Sequence, residues 1–175
     1  MGVTVNATAI AIISDTHLPR GHRRLPAACV SRLRAADLII HAGDLTAAST
    51  LEQLRGIGKV AAIHGNADDA TVRALLPDRL ELTVADVRLG IVHDAGAARG
   101  RLVRLRRSFS EANAVIFGHS HIPLLERDPV TGFQIFNPGS PTDKRRQPNY
   151  TMGWAQISRG EISFQITNLA VGPAG

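Results

Sequence analysis

The sequence is poor in aromatic residues and cysteine, and it has no long apolar run. Aromatic side chains make up 4% of the 175 residues, too few for the stacking platforms that single-stranded nucleic acids require. The single cysteine, Cys29, excludes an intramolecular disulfide and suits a reducing compartment. No apolar stretch approaches the roughly 20 residues of a bilayer span. We therefore expect a cytoplasmic protein without a membrane partner, folded as one domain over residues 1–175.

Lysine is nearly absent too, because 18 of the 20 basic residues are arginine, and the net charge is +5. Basic residues form two clusters: Arg99, Arg101, Arg104, Arg106 and Arg107, and then Lys144, Arg145 and Arg146. Arginine forks suit phosphate recognition, but a solvated helix face and a solvated loop are the simpler interpretation of such runs. The sequence therefore leaves nucleic acid open as a partner but does not indicate it.

Five short motifs hold nearly every side chain able to bind a divalent metal, and each follows a run of β-forming residues. They are Ser14-Asp15-Thr16-His17, Gly43-Asp44, Gly65-Asn66-Ala67-Asp68, His93-Asp94 and Gly118-His119-Ser120-His121. A lone Asp or His at a strand end is more often a turn residue or a helix cap. Loops at the carboxyl ends of parallel strands, however, meet in one crevice. Two Asp, one Asn and four His are too many ligands for one ion and suit two that share a carboxylate.

Apolar periodicity divides the chain into two parts. The first alternates between strands and helices, which predicts a parallel sheet with right-handed crossovers; the strands span residues 8–13, 37–41 and 60–64, and the helices 26–35, 47–55 and 71–76. In the second part we expect a hairpin about Ala85-Asp86, an arginine-rich helix ending near Phe109, and further strands. These strands span residues 80–84, 87–92, 114–117, 123–125, 134–136, 150–157 and 162–169. We expect flexible ends at residues 1–6 and 172–175.

The five motifs in this order resemble the calcineurin-like metallophosphoesterase superfamily, and within it the small single-domain prokaryotic phosphodiesterase branch. Asn137-Pro138-Gly139-Ser140 strengthens the resemblance. The resemblance implies an α/β fold, a four-layer αββα sandwich of two mixed sheets with helices on both outer faces. It also implies two divalent metal ions per chain: one held by Asp15, His17, Asp44 and His121, the other by Asp44, Asn66, His93 and His119, with Asp44 as the bridge.

The activity implied is that of a phosphodiesterase, in which a hydroxide activated by two metals attacks phosphorus in line. The catalytic residues would be Asp44, Asn66 and His119. Imidazole and carboxylate ligands suit Mn, Zn, Fe or Ni, and we favour Mn. The expected substrate is a small phosphodiester.

The chain departs from the family pattern at Ala67, where many members have a histidine that protonates the leaving oxygen. Without this acid, poor leaving groups should react slowly, because general acid catalysis contributes roughly 10²–10⁴-fold. His22, in the loop after the first motif, is a weak candidate for a substitute.

Four other polar residues lie close to the motifs. His41 and His64 are expected to be buried groups that orient the ligands following them, and Asp68 to cap the next helix or to support a ligand. Asp94, where the family commonly has glycine, has no explanation in the sequence.

Two other functions stay open. One is a catalytically weak interaction scaffold, since a eukaryotic retromer subunit shares the fold without evident catalysis; the seven intact ligand positions argue against it. The other is a nuclease or nucleotide hydrolase whose arginine clusters hold polyanions, which salt dependence of binding would reveal. A homo-oligomer is also open.

Overall fold

The computed structural model describes residues 8–170, within which the chain forms ten strands and four helices. They are β1 (Thr8–Ile13), α1 (Ala27–Ala35), β2 (Leu38–His41), α2 (Ala48–Arg55), β3 (Val60–Ala62), α3 (Ala70–Leu75), β4 (Arg79–Val84), β5 (Val87–Val92), α4 (Arg101–Ser108), β6 (Ala114–Ile116), β7 (Leu124–Arg127), β8 (Gln134–Asn137), β9 (Tyr150–Ser158) and β10 (Glu161–Leu169). The ends for which we predicted flexibility, residues 1–6 and 172–175, lie outside the described residues.

The first sheet has the strand order β10-β9-β1-β2-β3. Strands β1, β2 and β3 are parallel, because α1 and α2 return the chain to the same end of the sheet each time. The hairpin of β9 and β10 extends the sheet in antiparallel fashion on the other side of β1. The predicted parallel sheet is thus confirmed, although β3 ends at Ala62, two residues earlier than expected.

The second sheet has the strand order β4-β5-β6-β8-β7, with β5, β6 and β8 parallel and an antiparallel strand at each edge. The predicted hairpin about Ala85-Asp86 is confirmed. Val84 pairs with Val87, and the two residues between them have φ angles of 44° and 68°. Positive φ at both central residues is typical of the tight turns that match the twist of a hairpin.

Alternation along β1 shows how the layers pack. Ile10 and Ile12 point into the core between the sheets, where they join Phe136 of β8. Ala11 and Ile13 point outward into a second apolar cluster, to which α1 and α2 contribute Leu33, Leu51 and Leu54. A third cluster packs Leu105 of α4 on the opposite outer face. The order is therefore helices, sheet, sheet, helix, which confirms the predicted αββα sandwich.

All five motifs begin at the carboxyl ends of parallel strands: β1, β2, β3, β5 and β6. Three belong to the first sheet and two to the second, so the motifs meet along one rim of the sandwich. Between residues 8 and 170, each helix is too short or too polar to cross a bilayer.

Candidate metal centre

The backbone turns sharply at most of the predicted ligands. Positive φ angles occur at Asp15 (56°), His17 (46°), Asp44 (61°), His119 (68°) and His121 (59°). Left-handed backbone is unfavourable for residues other than glycine, at a cost on the order of 1–3 kcal/mol each, and it persists where the surrounding structure demands it. Five such residues at one rim indicate a site built for function.

Two motif glycines are required because the loops approach each other closely. A Cβ atom at Gly65 would collide with the carboxylate of Asp44. One at Gly118 would collide with the Ser14 hydroxyl and lie 2.8 Å from Oδ2 of Asp15. Glycine at these positions therefore lets the ends of β2 and β3, and those of β1 and β6, converge.

The four predicted histidine ligands form two pairs. The rings of His17 and His121 are stacked at an interplanar angle of 18°, and their Nε2 atoms are 3.3 Å apart. The rings of His93 and His119 meet nearly at right angles, at 83°. This pairing matches the predicted division of the histidines between two ions.

The two aspartates lie between the pairs. Oδ2 of Asp44 is 3.7 Å from Nε2 of His17 and 3.3 Å from Nε2 of His93, so it adjoins both pairs as a bridging ligand would. Oδ1 of Asp15 is 3.5 Å from Nε2 of His121 and 3.9 Å from Nε2 of His93. Asp15 thus also faces both pairs, whereas the resemblance assigned it to one ion.

Asn66 completes the crevice beside the second pair. Its Oδ1 atom is 3.2 Å from Nε2 of His93 and 2.9 Å from Nδ1 of His119. The structure therefore brings all seven predicted side chains together.

Burial and mutual attraction set the charges of these groups. Burial favours a raised pKa at Asp44, but the hydrogen bond and charge of His93 outweigh it and lower the pKa to about 2. Burial likewise opposes protonation of His93, but Asp44 and Asp15 raise its pKa to about 9. At Asp15 burial prevails over His93 and His121, so the pKa is raised. Burial lowers the pKa of His17 to about 4, which leaves this imidazole neutral.

The donor atoms fit divalent metal ions. Two groups, Asp15-His17-His121 and Asp15-Asp44-His93, each offer ligand atoms within 4.8 Å of one another. Nδ1 of His93 donates to the Ala42 carbonyl (2.7 Å) and Nδ1 of His121 to the Asp143 carbonyl (2.6 Å), so the Nε2 atoms of both rings face the crevice. The buried carboxylates of Asp15 and Asp44 favour a cation. Nitrogen and oxygen donors without thiolate suit Mn, Fe, Ni or Zn.

Asp68 supports the site, which was one of two predicted roles. Its carboxylate accepts hydrogen bonds from the amides of Gly65 (2.6 Å), Asp44 (3.0 Å) and Thr46 (2.5 Å). The other predicted role, capping of α3, belongs to Asp69, whose Oδ1 accepts the hydrogen bond of an amide in the first turn. Asp68 therefore holds the second and third motifs together.

The segment at residues 137–143 joins loops from the two sheets. Asn137 donates to the Gly118 carbonyl (2.9 Å), and Ser140 donates to the Asp15 carbonyl (2.8 Å). Thr142 donates to the carbonyl of Thr16 (2.6 Å). The resemblance associated residues 137–140 with this branch of the family, and the contacts show that they fix the first and fifth motifs.

The two other histidines differ in their roles. His41 is fully buried; its Nδ1 accepts from the Gly43 amide (3.2 Å), and its Nε2 lies 3.0 Å from the Thr16 hydroxyl. It therefore orients the turn before Asp44, not the carboxylate itself. His64 is only partly buried, and its ring lies 3.4 Å from the neighbouring Gly65 carbonyl. The expectation that it is a buried group orienting Asn66 is wrong.

Arg73 of α3 instead holds the Asn66 loop, a role that sequence reasoning missed. Its guanidinium donates to the carbonyls of Asn66 (2.7 Å) and Asp68 (2.9 Å). In the sequence, the one sign of this contact is the presence of an arginine on the helix that follows Asn66. His22 lines a cavity of about 360 Å³ with Arg23, Arg24 and Tyr150. Within residues 8–170, no hydrogen bond or ion pair joins His22 to a predicted ligand.

The first arginine cluster is not a simple solvated helix face. Arg104 donates to the carbonyls of Ala95 and Ala97, both at 2.6 Å, and Arg101 donates to that of Gly96 at 3.2 Å. Arg106 lies over the ring of Phe133, 5.5 Å from its centroid. These three arginines lie at the surface, but the face is not purely solvated, because Arg101 and Arg104 also hold the loop that follows His93.

Comparison with known proteins agrees with this geometry. The sequence model of the calcineurin-like phosphoesterase superfamily domain matches residues 9–160. A probable metallophosphoesterase from Methanocaldococcus jannaschii is 37% identical over 139 residues, 78% of this chain and 69% of that protein. Vacuolar protein sorting 29 from Cryptosporidium parvum superposes with a TM-score of 0.76 at 15% identity, covering 94% of this chain and 99% of that one. A structure described as a novel archaeal phosphodiesterase superposes with a TM-score of 0.70 at 20% identity, covering 91% and 100% of the two chains.

Proposed function

Since the chain belongs to the calcineurin-like phosphoesterase superfamily, we propose that it is a metal-dependent phosphodiesterase acting on small phosphodiesters. One observation carries the proposal: a carboxylate oxygen of Asp44 adjoins two histidine pairs, 3.7 Å from His17 and 3.3 Å from His93. Such a shared carboxylate between two donor sets supports a centre for two ions.

We assign Asp15, His17, Asp44 and His121 to one ion, and Asp44, Asn66, His93 and His119 to the other. When bound, a pair of divalent ions lowers the pKa of water and stabilises negative charge on phosphoryl oxygens. The ligand chemistry supports Mn, Zn, Fe or Ni, and we favour Mn.

The chain itself holds and orients these groups. The carbonyls of Ala42 and Asp143 fix the ring orientations of His93 and His121. Asp15 is fully buried, and the side chain of His17 is 6% exposed, so solvent is excluded on that side. The side chain of His119 is 46% exposed. A phosphate group therefore approaches beside His119.

The leaving group receives little help from position 67. Ala67 has no side-chain donor, and its amide already donates to Oδ1 of Asp44 at 2.8 Å. The proposed reaction therefore favours diesters whose leaving group is stable without a proton, such as aryl oxides.

Metal-dependent turnover by the purified chain tests the proposal. The protein is stripped with a chelator, reloaded with each of the four metals, and assayed on aryl diesters, alkyl diesters and monoesters. We expect hydrolysis of aryl diesters that requires added metal and that the chelator abolishes. Stoichiometric metal binding without turnover of any ester would contradict the proposal.

That same result would support a second function, an interaction scaffold. The similarity in fold to vacuolar protein sorting 29 favours it as the alternative. The complete set of ligand side chains supports the enzyme instead, because a scaffold has no need of seven convergent metal-binding groups.

A further inference from the structure

Asp94 lies at the mouth of the crevice with its side chain in a defined orientation. Oδ1 accepts a hydrogen bond from the Gly96 amide at 2.7 Å. This bond closes a turn that fixes the carboxylate. Oδ2 faces Nε2 of His119 at a distance of 4.0 Å. The residue that the sequence could not explain thus pairs with one of the predicted ligands.

The other ring nitrogen of His119, Nδ1, faces the crevice. Nδ1 of His119 lies 2.9 Å from Oδ1 of Asn66, so Nε2 points outward, towards Asp94. The outward nitrogens of His93 and His121 both donate to backbone carbonyls. A metal-bound imidazole nearly always gives its second N–H to a carbonyl or a carboxylate, which fixes the tautomer and the ring orientation.

We propose that Asp94 is the positioning residue for His119, an inference that rests on the proposed function. Its carboxylate would accept a hydrogen bond from the N–H of Nε2 while Nδ1 bound the ion, and it would add negative charge beside the ion that Asn66 and His119 would hold. A separation of 4.0 Å is short enough for ion pairing, and both side chains are exposed.

The exposure of His119 explains why its positioning partner is a carboxylate. The side chains of His93 and His121 are 6% and 1% exposed, and packing restricts both rings. His119 lacks such packing, with 46% of its side chain exposed. A charged partner restores the orientation that burial provides elsewhere in the site.

The substitution Asp94→Asn isolates this contribution. Asparagine keeps the side-chain oxygen that accepts from Gly96, and it replaces the charged acceptor that faces His119 by an NH2 group. Calorimetric titration of the chelator-stripped protein with Mn²⁺ should give two binding events in the wild type. We expect one of them to weaken by about 10- to 100-fold in the variant, and the other to change less than about twofold. Asp94→Glu should restore most of the lost affinity.

Asp128→Asn is the matched control. Asp128 is exposed and accepts from the Val130 amide at 2.8 Å in the same kind of turn. It follows β7 at the opposite edge of the second sheet, so the same change of charge lies away from the crevice. We expect both Mn²⁺ affinities to be unchanged in this variant.

The outcomes separate the inference from the function on which it rests. If the wild type binds two ions and Asp94→Asn binds both as tightly, the inference alone is overturned. Equal weakening of both ions also overturns it, because that result reflects overall charge. If the wild type binds fewer than two ions, the two-ion function fails and the inference fails with it.

Discussion

The site has a closed half and an open half. The closed half comprises Asp15, His17 and His121, whose side chains are at most 6% exposed. The open half comprises Asn66, His119 and Asp94, and the side chains of His119 and Asp94 are 46% and 62% exposed. Under the proposed function the two halves would have different roles, because a buried half would hold an ion firmly and an exposed half would admit a phosphate group.

The closed half is buried because a further segment covers it. Residues 137–143 donate hydrogen bonds to the carbonyls of Asp15 and Thr16, and the Asp143 carbonyl accepts from His121. In the open half, Asn66 follows β3, an edge strand, and its loop is held by Arg73 and Asp68. Asp44 and His93 lie between the halves.

Asp44→Asn should have the largest effect, because it removes the charge that the two halves share. Asparagine tolerates the left-handed backbone at this position and keeps the acceptor for the Ala67 amide. We expect kcat at saturating metal to fall by about 10³-fold or more, the equivalent of several kcal/mol of transition-state stabilisation. Retention of more than a tenth of the wild-type rate would contradict the shared-ligand assignment.

Ala67→His should sharpen the contrast by adding a proton donor to the open half. We expect rates for alkyl diesters to rise by about 10²-fold, and rates for aryl diesters to change little, because only poor leaving groups need the proton. Plots of rate against leaving-group pKa for both proteins are the measurement. Ala67→Asn controls for added bulk, and a flat plot for the wild type would show that another acid already acts.

His41→Asn tests, through pH, a buried support of the closed half, because the His41 ring lies 3.0 Å from the Thr16 hydroxyl. Burial lowers the pKa of His41 to about 3 in the folded chain, against 6.5 for an ordinary histidine. Only the unfolded chain takes up this proton between those values, so folding stability is lost as pH falls below about 6.5. Between pH 7 and pH 5 the metal-free wild type should lose about 2 kcal/mol more than the variant.

Urea unfolding at the two pH values, with chelator present, measures this difference. The pKa of His17 is lowered to about 4, so His17 also causes a loss of folding stability as pH falls, but it does so in both proteins. Its contribution therefore cancels in the comparison. Parallel stability curves for the wild type and the variant would show that His41 is already charged in the folded chain.

The convergence of the polar side chains at the strand ends could be predicted because the signal is local. Asp15, Asn66 and His121 each follow a β-forming run, and such runs end at one rim in a parallel sheet. The parallel sheet followed from the same alternation, and the αββα layers followed from it together with the resemblance. Strand limits differed by one or two residues, because hydrogen-bonding partners decide them.

The supporting contacts could not be predicted because they join distant parts of the chain. Ser140 and Asp15 are 125 residues apart, and His121 meets the carbonyl of Asp143 only after β8 and its loop have packed. Asp68 and Asp69 are adjacent and chemically alike, so only the geometry of the turn distinguishes the support from the cap. Exposed arginines give no sequence signal for the carbonyls that they contact.

The last test compares the substitutions Arg104→Gln and Arg107→Gln, for which we expect the smallest effects. Both residues are exposed and both changes remove one positive charge from α4, but only Arg104 of the two donates to the Ala95 and Ala97 carbonyls beside the open half. If α4 acts as an electrostatic funnel, the two changes should lower kcat/KM equally, and more at low salt. If Arg104 holds the loop, only its variant should lose stability, by about 1–3 kcal/mol.

We expect the second result, with the Arg107 variant within about 0.5 kcal/mol of the wild type and unchanged in kcat/KM for a small diester. A salt-sensitive loss of similar size in both variants would instead favour a polyanionic substrate, because a contact made by one arginine cannot explain an effect shared by two.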